Sequence, residues 1–265
     1  MKELCTKIEL QEEVMCKVLE FTSQFDFESV RSLLDDLKDA KKEQEARGLL
    51  KEQFGCDKGN IKILSCMLQC AVELYEYYQQ KGINERIYID TMKCFTRFIN
   101  ECKVITGEYA FDREWWTSRQ IGGRLFRIGE LEYEMTYNEE KPVVSVHIPS
   151  DAEFTVQNCD ESINMAKIFF RTYYHEYSTA DYLCYSWLLA PELSQLLQKE
   201  SNILQFQKRF HILKEDYELM DIMEWLFQTK DKAIENLPER TSLQKNMKNY
   251  LLSGGKIGNA LGIMR

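Results

Sequence analysis

From the N-terminus to Gly107 the apolar residues recur every three or four positions, which is the spacing of one helix face. Val14, Val18 and Phe21 set the period within Gln11–Ser23. Phe27, Val30, Leu34 and Leu37 carry it on, with Asp26 placed to cap that turn. Gly55 and Gly59 bracket a break. Ile61, Leu64, Leu68, Ala71, Val72, Tyr75 and Tyr78 then form a broad apolar face that stops at Gly82, and Met92, Phe95, Ile99, Cys102 and Ile105 form another that stops at Gly107. Stripes of this kind are core faces, so residues 1–107 are expected to be a helical N-terminal domain.

Beyond Gly107 the period falls to two. Leu131, Tyr133, Met135 and Tyr137 alternate with Glu132, Glu134 and Thr136, as in a strand with one face covered. Asn138–Pro142 reads as a turn, and Val144, Val146 and Ile148 alternate with Ser145 and His147 until Pro149-Ser150-Asp151 ends the run. The economical arrangement is two antiparallel strands joined by a short turn. A helix capped by Asn158 or Asp160 is expected next, with Ile163, Ala166, Phe170 and Tyr173 on its buried face. Tyr182–Leu188 is a nearly continuous apolar run, as in a strand covered on both sides. Pro191 opens a short helix, Ile203–Ile212 alternates again, Ile222–Phe227 is read as its partner strand, and Ser242–Leu252 closes as a helix stopped by Gly254-Gly255. Residues 108–265 are thus an α/β (α+β) domain: a mixed sheet flanked by helices, with parallel strand pairs expected across its two helical crossovers.

Composition narrows the function classes. The chain has 265 residues, a net charge of −9 and no dense Lys/Arg block, which argues against nucleic acid and suits a cationic small molecule better. No apolar run reaches the roughly 18 residues that cross a bilayer, and the charged N-terminus is unlike a signal peptide. The 9 cysteines form no C-x-x-C pair and fall mostly within apolar helical patterns, as small hydrophobes do in a reducing, cytoplasmic setting. Only 3 histidines accompany them, none near Cys66 and Cys70, so no metal site is expected.

Six segments carry a resemblance. They are Y-Y-Q-Q-K-G-I (Tyr77–Ile83), W-W-T-S-R-Q-I-G-G-R-L-F-R-I-G-E-L-E-Y-E (Trp115–Glu134), V-H-I-P-S-D-A (Val146–Ala152), S-W-L-L-A-P-E-L (Ser186–Leu193), S-N-I-L-Q-F-Q-K-R-F (Ser201–Phe210) and L-P-E-R-T-S-L-Q (Leu237–Gln244). In this order they resemble a small bacterial family of GNAT-like N-acyltransferases, which joins a helical N-terminal domain to a modified C-terminal GNAT domain. The resemblance implies an acyl group, such as acetyl, passed from acyl-coenzyme A (acetyl-CoA) to an amine of a small molecule or peptide, with no metal. It places the pantetheine arm between two splayed parallel strands, here Val143–Ile148 and Tyr182–Leu188, and pyrophosphate at the N-terminus of the helix that follows the first of them. One departure is plain. The segment from Ile148 to Asp160 holds no glycine, whereas the common GNAT phosphate loop is glycine-rich. Gln120-Ile121-Gly122-Gly123 lies before the first strand and reads as a tight turn, and Gly254-Gly255-Lys256 follows no strand and reads as a helix stop.

Amine acylation needs a base, an oxyanion stabiliser and a proton donor for the thiolate. His147 stands one residue before the strand end and suits the base; the competing reading is a histidine bonded to Ser145 or the next loop. Backbone amides over Val146–Ile148 suit the oxyanion. Ser150 and Asp151 could orient His147, bind the cofactor side or only close the turn. Tyr185 and Ser186 are the candidate proton donors, because Pro191–Gln198 lacks the tyrosine this fold often supplies. Trp115, Trp116 and Trp187 suit an acyl or acceptor pocket or plain packing, and Arg119, like Arg124, suits a coenzyme A phosphate or a nearby Glu. The rival to catalysis is a non-catalytic acyl- or small-molecule-binding or interaction protein on a degenerate GNAT fold.

Overall fold

The computed structural model describes residues 1–217, 221–229 and 233–265. The chain divides into two compact units, Met1–Ile128 and Gly129–Arg265.

The first unit is helical, as its period predicts. Its α-helices are Lys2–Lys7 (α1), Glu12–Gln24 (α2), Arg31–Lys38 (α3), Glu43–Phe54 (α4), Ile61–Lys81 (α5), Glu85–Met92 (α6), Cys94–Thr106 (α7) and Glu114–Ile121 (α8). Helix α5 buries Leu64, Leu68 and Ala71 completely, as the 3.6-residue period requires. It ends where Gly82 adopts φ +71°, a left-handed turn that costs glycine nothing and lets Ile83 N–H reach the Tyr78 carbonyl at 2.9 Å. Asp26 accepts from Glu28 N–H at 3.0 Å, the cap its position suggests. A short strand, Leu125–Ile128 (β1), closes the unit, with Arg127 N–H donating to Thr91 Oγ1 at 2.9 Å. Helix α8 is a departure from the sequence reading, which places no helix between Gly107 and the one capped by Asn158 or Asp160. Thr117, Ser118, Gln120 and Ile121 bury one side of α8, a mostly polar face that a hydrophobic period does not reveal.

The second unit is built on strands Leu131–Asn138 (β2), Lys141–His147 (β3), Asp181–Ser186 (β4), Phe210–Asp216 (β5) and Asn259–Met264 (β6), which lie in the order β2-β3-β4-β6-β5. β2 and β3 form the expected antiparallel hairpin, paired from Asn138↔Lys141 to Glu132↔His147. Helix Val156–Tyr173 (α9) carries the chain across to β4, which runs parallel to β3. Its N-cap is Thr155, whose hydroxyl accepts from Asn158 N–H at 3.2 Å, rather than Asn158 or Asp160. Either of those would have served chemically, and the packing of Cys159, Ile163 and Ala166 starts the helix earlier.

The second crossover gives no adjacent parallel pair, because the last strand, β6, enters between β4 and β5 and runs antiparallel to both. Ile203–Ile212 is not one strand: Asn202–Gln207 (α11) follows the single turn Leu193–Leu196 (α10), and β5 begins at Phe210. Leu204 and Phe206 alternate in sequence, but Phe206 is the buried face of a two-turn helix capped by Ser201. Ile222–Phe227 is likewise not a strand. Asp221–Trp225 (α12) is a helix whose Ile222 and Met223 enter an apolar cluster with Trp187, Leu193, Met247 and Leu251. Ser242–Leu252 (α13) is the predicted closing helix, fixed by a capping box between Thr241 and Gln244. No helix among the described residues is long and apolar enough to cross a membrane.

Candidate functional site

β3 and β4 are bonded over three residue pairs only: Val143↔Asp181, Val144↔Tyr182 and Ser145↔Leu183. Both strands run on. Val146 and His147 stay paired to Tyr133 and Glu132 of β2, while Cys184, Tyr185 and Ser186 stay paired to Gly262, Leu261 and Ala260 of β6. Each strand therefore follows its outer neighbour after Ser145 and Leu183, and a wedge opens between them. Along the wedge, the backbone groups that face the gap have no strand to bond.

The pleat sorts the side chains around this wedge. Val144 and Val146 of β3, with Tyr182 and Cys184 of β4, are buried. On that face the rings of Tyr133 and Tyr182 meet at 6.1 Å, and Phe170 of α9 meets Tyr182 at 6.3 Å. Ser162 of α9 bonds the Tyr133 hydroxyl at 2.9 Å and accepts from Leu131 N–H at 3.2 Å, fixing the helix to the sheet. The opposite face carries Ser145 and His147 of β3 and Leu183 and Tyr185 of β4, so His147 and Tyr185 project on one side, each two residues beyond the last bonded pair.

His147 is mostly buried, with its side chain 21% exposed, and its Nε2 lies 3.1 Å from Glu134 Oε2. Glu134 sits diagonally across the hairpin, since the residue directly opposite is Glu132. An ionised carboxylate only accepts, so in this contact Nε2 carries the proton. Glu134 is a functional candidate that the sequence reading missed. The alternation contained the signal, because a hairpin closed tightly after Asn138 puts Glu134 on the face of His147 and one pair away from it.

Tyr185 is 41% exposed and its hydroxyl donates to Asp216 Oδ2 of β5 at 2.9 Å, reaching across β6. Burial and the Asp216 carboxylate hold its pKa above the usual tyrosine value. Ser186 Oγ accepts from Leu188 N–H at 3.1 Å and so caps the single turn Trp187–Leu189, with its own proton still available. Trp187, 9% exposed, is a core side chain of the cluster around α12 and α13. Val146, on the opposite face, is buried, and Ile148, past the strand end, is half-buried. Ser150 and Asp151 are exposed in the turn between β3 and α9.

That connection, Ile148–Thr155, contains no glycine and is partly closed to anions: Glu153 N–H donates to Glu130 at 2.8 Å. The first N–H groups of α9 remain without intrahelical partners, apart from that of Asn158, which Thr155 takes. Asp160, in the same turn, is neutralised by Arg209 at 2.6 Å.

Trp115, Trp116 and Arg119 stand on α8 of the first unit. There the two indoles meet edge to face at 5.7 Å and the Arg119 guanidinium lies 4.4 Å from the Trp116 ring centre. Arg124 pairs with Glu43 at 2.9 Å, the Glu partner that its alternative reading required. Among the described residues no group of three or more His, Cys, Asp or Glu is arranged to hold a metal ion.

The comparisons with known proteins agree with this architecture. Residues 1–123 match the model of the N-acyltransferase N-terminal domain, and residues 125–264 match that of the GNAT-like C-terminal domain. No curated protein matches the sequence. Among solved structures, an acyltransferase in complex with decanoyl-CoA and teicoplanin aligns at 18% identity with a TM-score of 0.81, over 99% of this chain and 86% of that one. The acyltransferase in complex with CoA and 10C-teicoplanin aligns with the same values. A complex with decanoyl-CoA aligns at 19% identity with a TM-score of 0.79, over the same shares. At such identity the likeness speaks for the fold, and the two domain matches, which between them leave almost no residue unassigned, speak for descent. The chain belongs to the family that joins an N-acyltransferase N-terminal domain to a GNAT-like C-terminal domain.

Proposed function

We propose that this protein is an N-acyltransferase that moves an acyl group from acyl-CoA to the amine of a small molecule. The observation that carries the reading is the wedge: β3 and β4 part after Ser145 and Leu183 while each remains bonded to its outer neighbour. Unpaired strand edges accept the amide groups of a pantetheine arm as they would an added strand. Acyl-CoA is a ligand in solved structures that share this fold, and one of them holds teicoplanin beside decanoyl-CoA. The phosphate end depends on the free amides at the start of α9, an 18-residue helix, rather than on a glycine loop.

In the proposed reaction His147 takes a proton from the acceptor ammonium, and the freed amine attacks the thioester carbonyl. A backbone N–H in Val146–Ile148 stabilises the oxyanion. Collapse breaks the carbon–sulfur bond, and the proton that the new amide nitrogen sheds passes through the Ser186 hydroxyl to the departing thiolate, so that Ser186 ends protonated; the Tyr185 proton is engaged by Asp216. Glu134 orients the imidazole. The support for these roles is position alone: His147 and Ser186 end the two strands that diverge. The excess of acidic residues, with a net charge of −9, favours acceptors that arrive as cations.

The test follows acetyl-CoA consumption and product mass against a panel of amines, with acetyl-CoA binding measured by calorimetry. Turnover is expected to fall by about 100- to 10,000-fold in His147→Ala, the range of a lost general base, with acetyl-CoA affinity retained. Absence of saturable acetyl-CoA binding by the wild-type protein would overturn the reading.

A further inference from the structure

The turn that follows β4 is gripped through a single residue. β4 closes on Ser186, and Leu188 is the middle of the short turn Trp187–Leu189. The Leu188 N–H donates to Ser186 Oγ at 3.1 Å, and the Leu188 carbonyl accepts from Gln207 Nε2 at 2.9 Å. The same Gln207 nitrogen donates to the Ala190 carbonyl at 3.0 Å. A primary amide carries two hydrogens on one nitrogen, so Gln207 serves both carbonyls at once. A turn this short leaves carbonyls at its end without partners of its own, and here one side chain from α11 supplies them.

Gln207 is itself held in place. It ends α11 next to Phe206, which is fully buried against Phe154 and Phe210 at ring distances of 4.9 and 5.1 Å. Just beyond it, Arg209 pairs with Asp160 of α9 at 2.6 Å. On the sheet side of the turn, Leu189 lies against Gly262 of β6, where an added Cβ would come within 2.9 Å of Leu189 Cδ1. Packing thus fixes the body of the turn, and Gln207 fixes the residue that holds Ser186. An oxygen that accepts a hydrogen bond is polarised toward donating its own proton. The Leu188 N–H therefore makes the Ser186 hydroxyl a better proton relay only while it stays aimed at Oγ.

We infer that Gln207 is a positioning residue for acyl transfer, acting through Leu188 to hold the Ser186 hydroxyl where it passes a proton to the departing thiolate. This rests on the proposed reaction, in which Ser186 is the relay, and adds the side chain that keeps the relay aimed. No proton travels through Gln207. The step is unchanged: the amide nitrogen gives up its proton, Ser186 hands one on, and the sulfur receives it. Gln207 only limits the orientations that Ser186 can take.

The test measures acetyl-CoA turnover, with the fastest acceptor of the amine panel, in the wild-type full chain, Gln207→Met, Ser186→Ala and the double variant. Gln207→Met is expected to lower kcat by about 10- to 100-fold, the scale of a misplaced reacting group, with KM for acetyl-CoA unchanged. Added to Ser186→Ala it is expected to cost nothing further, since both changes act on one hydroxyl. Hydrogen exchange of the Leu188 amide, followed by NMR, is expected to quicken by about tenfold in Gln207→Met. Gln207→Glu keeps the shape without the donors and serves as a second variant, and thermal melting checks that each is folded. Losses that multiply in the double variant, an unchanged kcat in both Gln207 variants, or a Leu188 amide that exchanges at the wild-type rate would overturn the inference and leave acyl transfer in place. Absence of turnover by the wild-type protein with every amine of the panel would instead remove the transfer reading, and with it the part given to Gln207.

Discussion

Ser162 joins α9 to β2. Its hydroxyl serves the Tyr133 ring and the Leu131 amide at once, in a place that is 1% exposed. Ser162→Ala removes both contacts and takes from the buried Leu131 N–H its side-chain acceptor. The expected loss is about 1–3 kcal/mol of unfolding free energy, read in urea, with the midpoint shifted and the slope unchanged. His147 is held in a different way. A hydrogen bond to Glu134 orients its ring, so the histidine's position comes from β3 and its orientation from β2.

At the level of elements, close approach of the backbone fixes the edge of the sheet. A Cβ on Gly258 would meet the Asp216 carbonyl at 1.9 Å, a distance no side chain can accommodate. Gly258→Ala must therefore push β6 away from the end of β5. A lowered melting temperature is expected, together with loss of the Tyr185–Asp216 contact, which tyrosine fluorescence or an NMR probe at Tyr185 would report. The hairpin β2–β3 was legible in the chain because its alternation is clean and its turn is short. Two other elements were misread for a shared reason. Asn202–Gln207 and Asp221–Trp225 are too short for a helical period to establish itself, and only their packing against the cluster around Trp187 declares them.

Across the whole molecule the cysteines behave as the composition suggests. All are free, and of the 9 only Cys16 and Cys56 are exposed. Burial pushes the thiols of Cys66, Cys70 and Cys184 up to about 12 and that of Cys159 to about 11, from 9.0. A thiol reagent at neutral pH is expected to modify two groups in the native protein and nine after denaturation. Fast modification of a third would contradict the burial of these side chains. The sign of the alkaline response follows. A thiol whose folded pKa is raised lends stability that is whole below pH 9.0 and is lost as the pH climbs toward about 12, because the unfolded chain releases the proton first.

By itself the sequence determined the helical first part, the antiparallel hairpin, the crossover helix and the strand beyond it. Local periodicity and turn chemistry dictate such elements, and its word order resembled the right family. It also put His147 at the end of a strand. Tertiary structure alone decided that the final strand enters between β4 and β5, that β3 and β4 part after Ser145 and Leu183, and that Glu134 and Asp216 become the partners of His147 and Tyr185. Those facts depend on which strands become neighbours. Neighbourhood between segments far apart in the chain is set by packing the whole sheet, which no local pattern encodes.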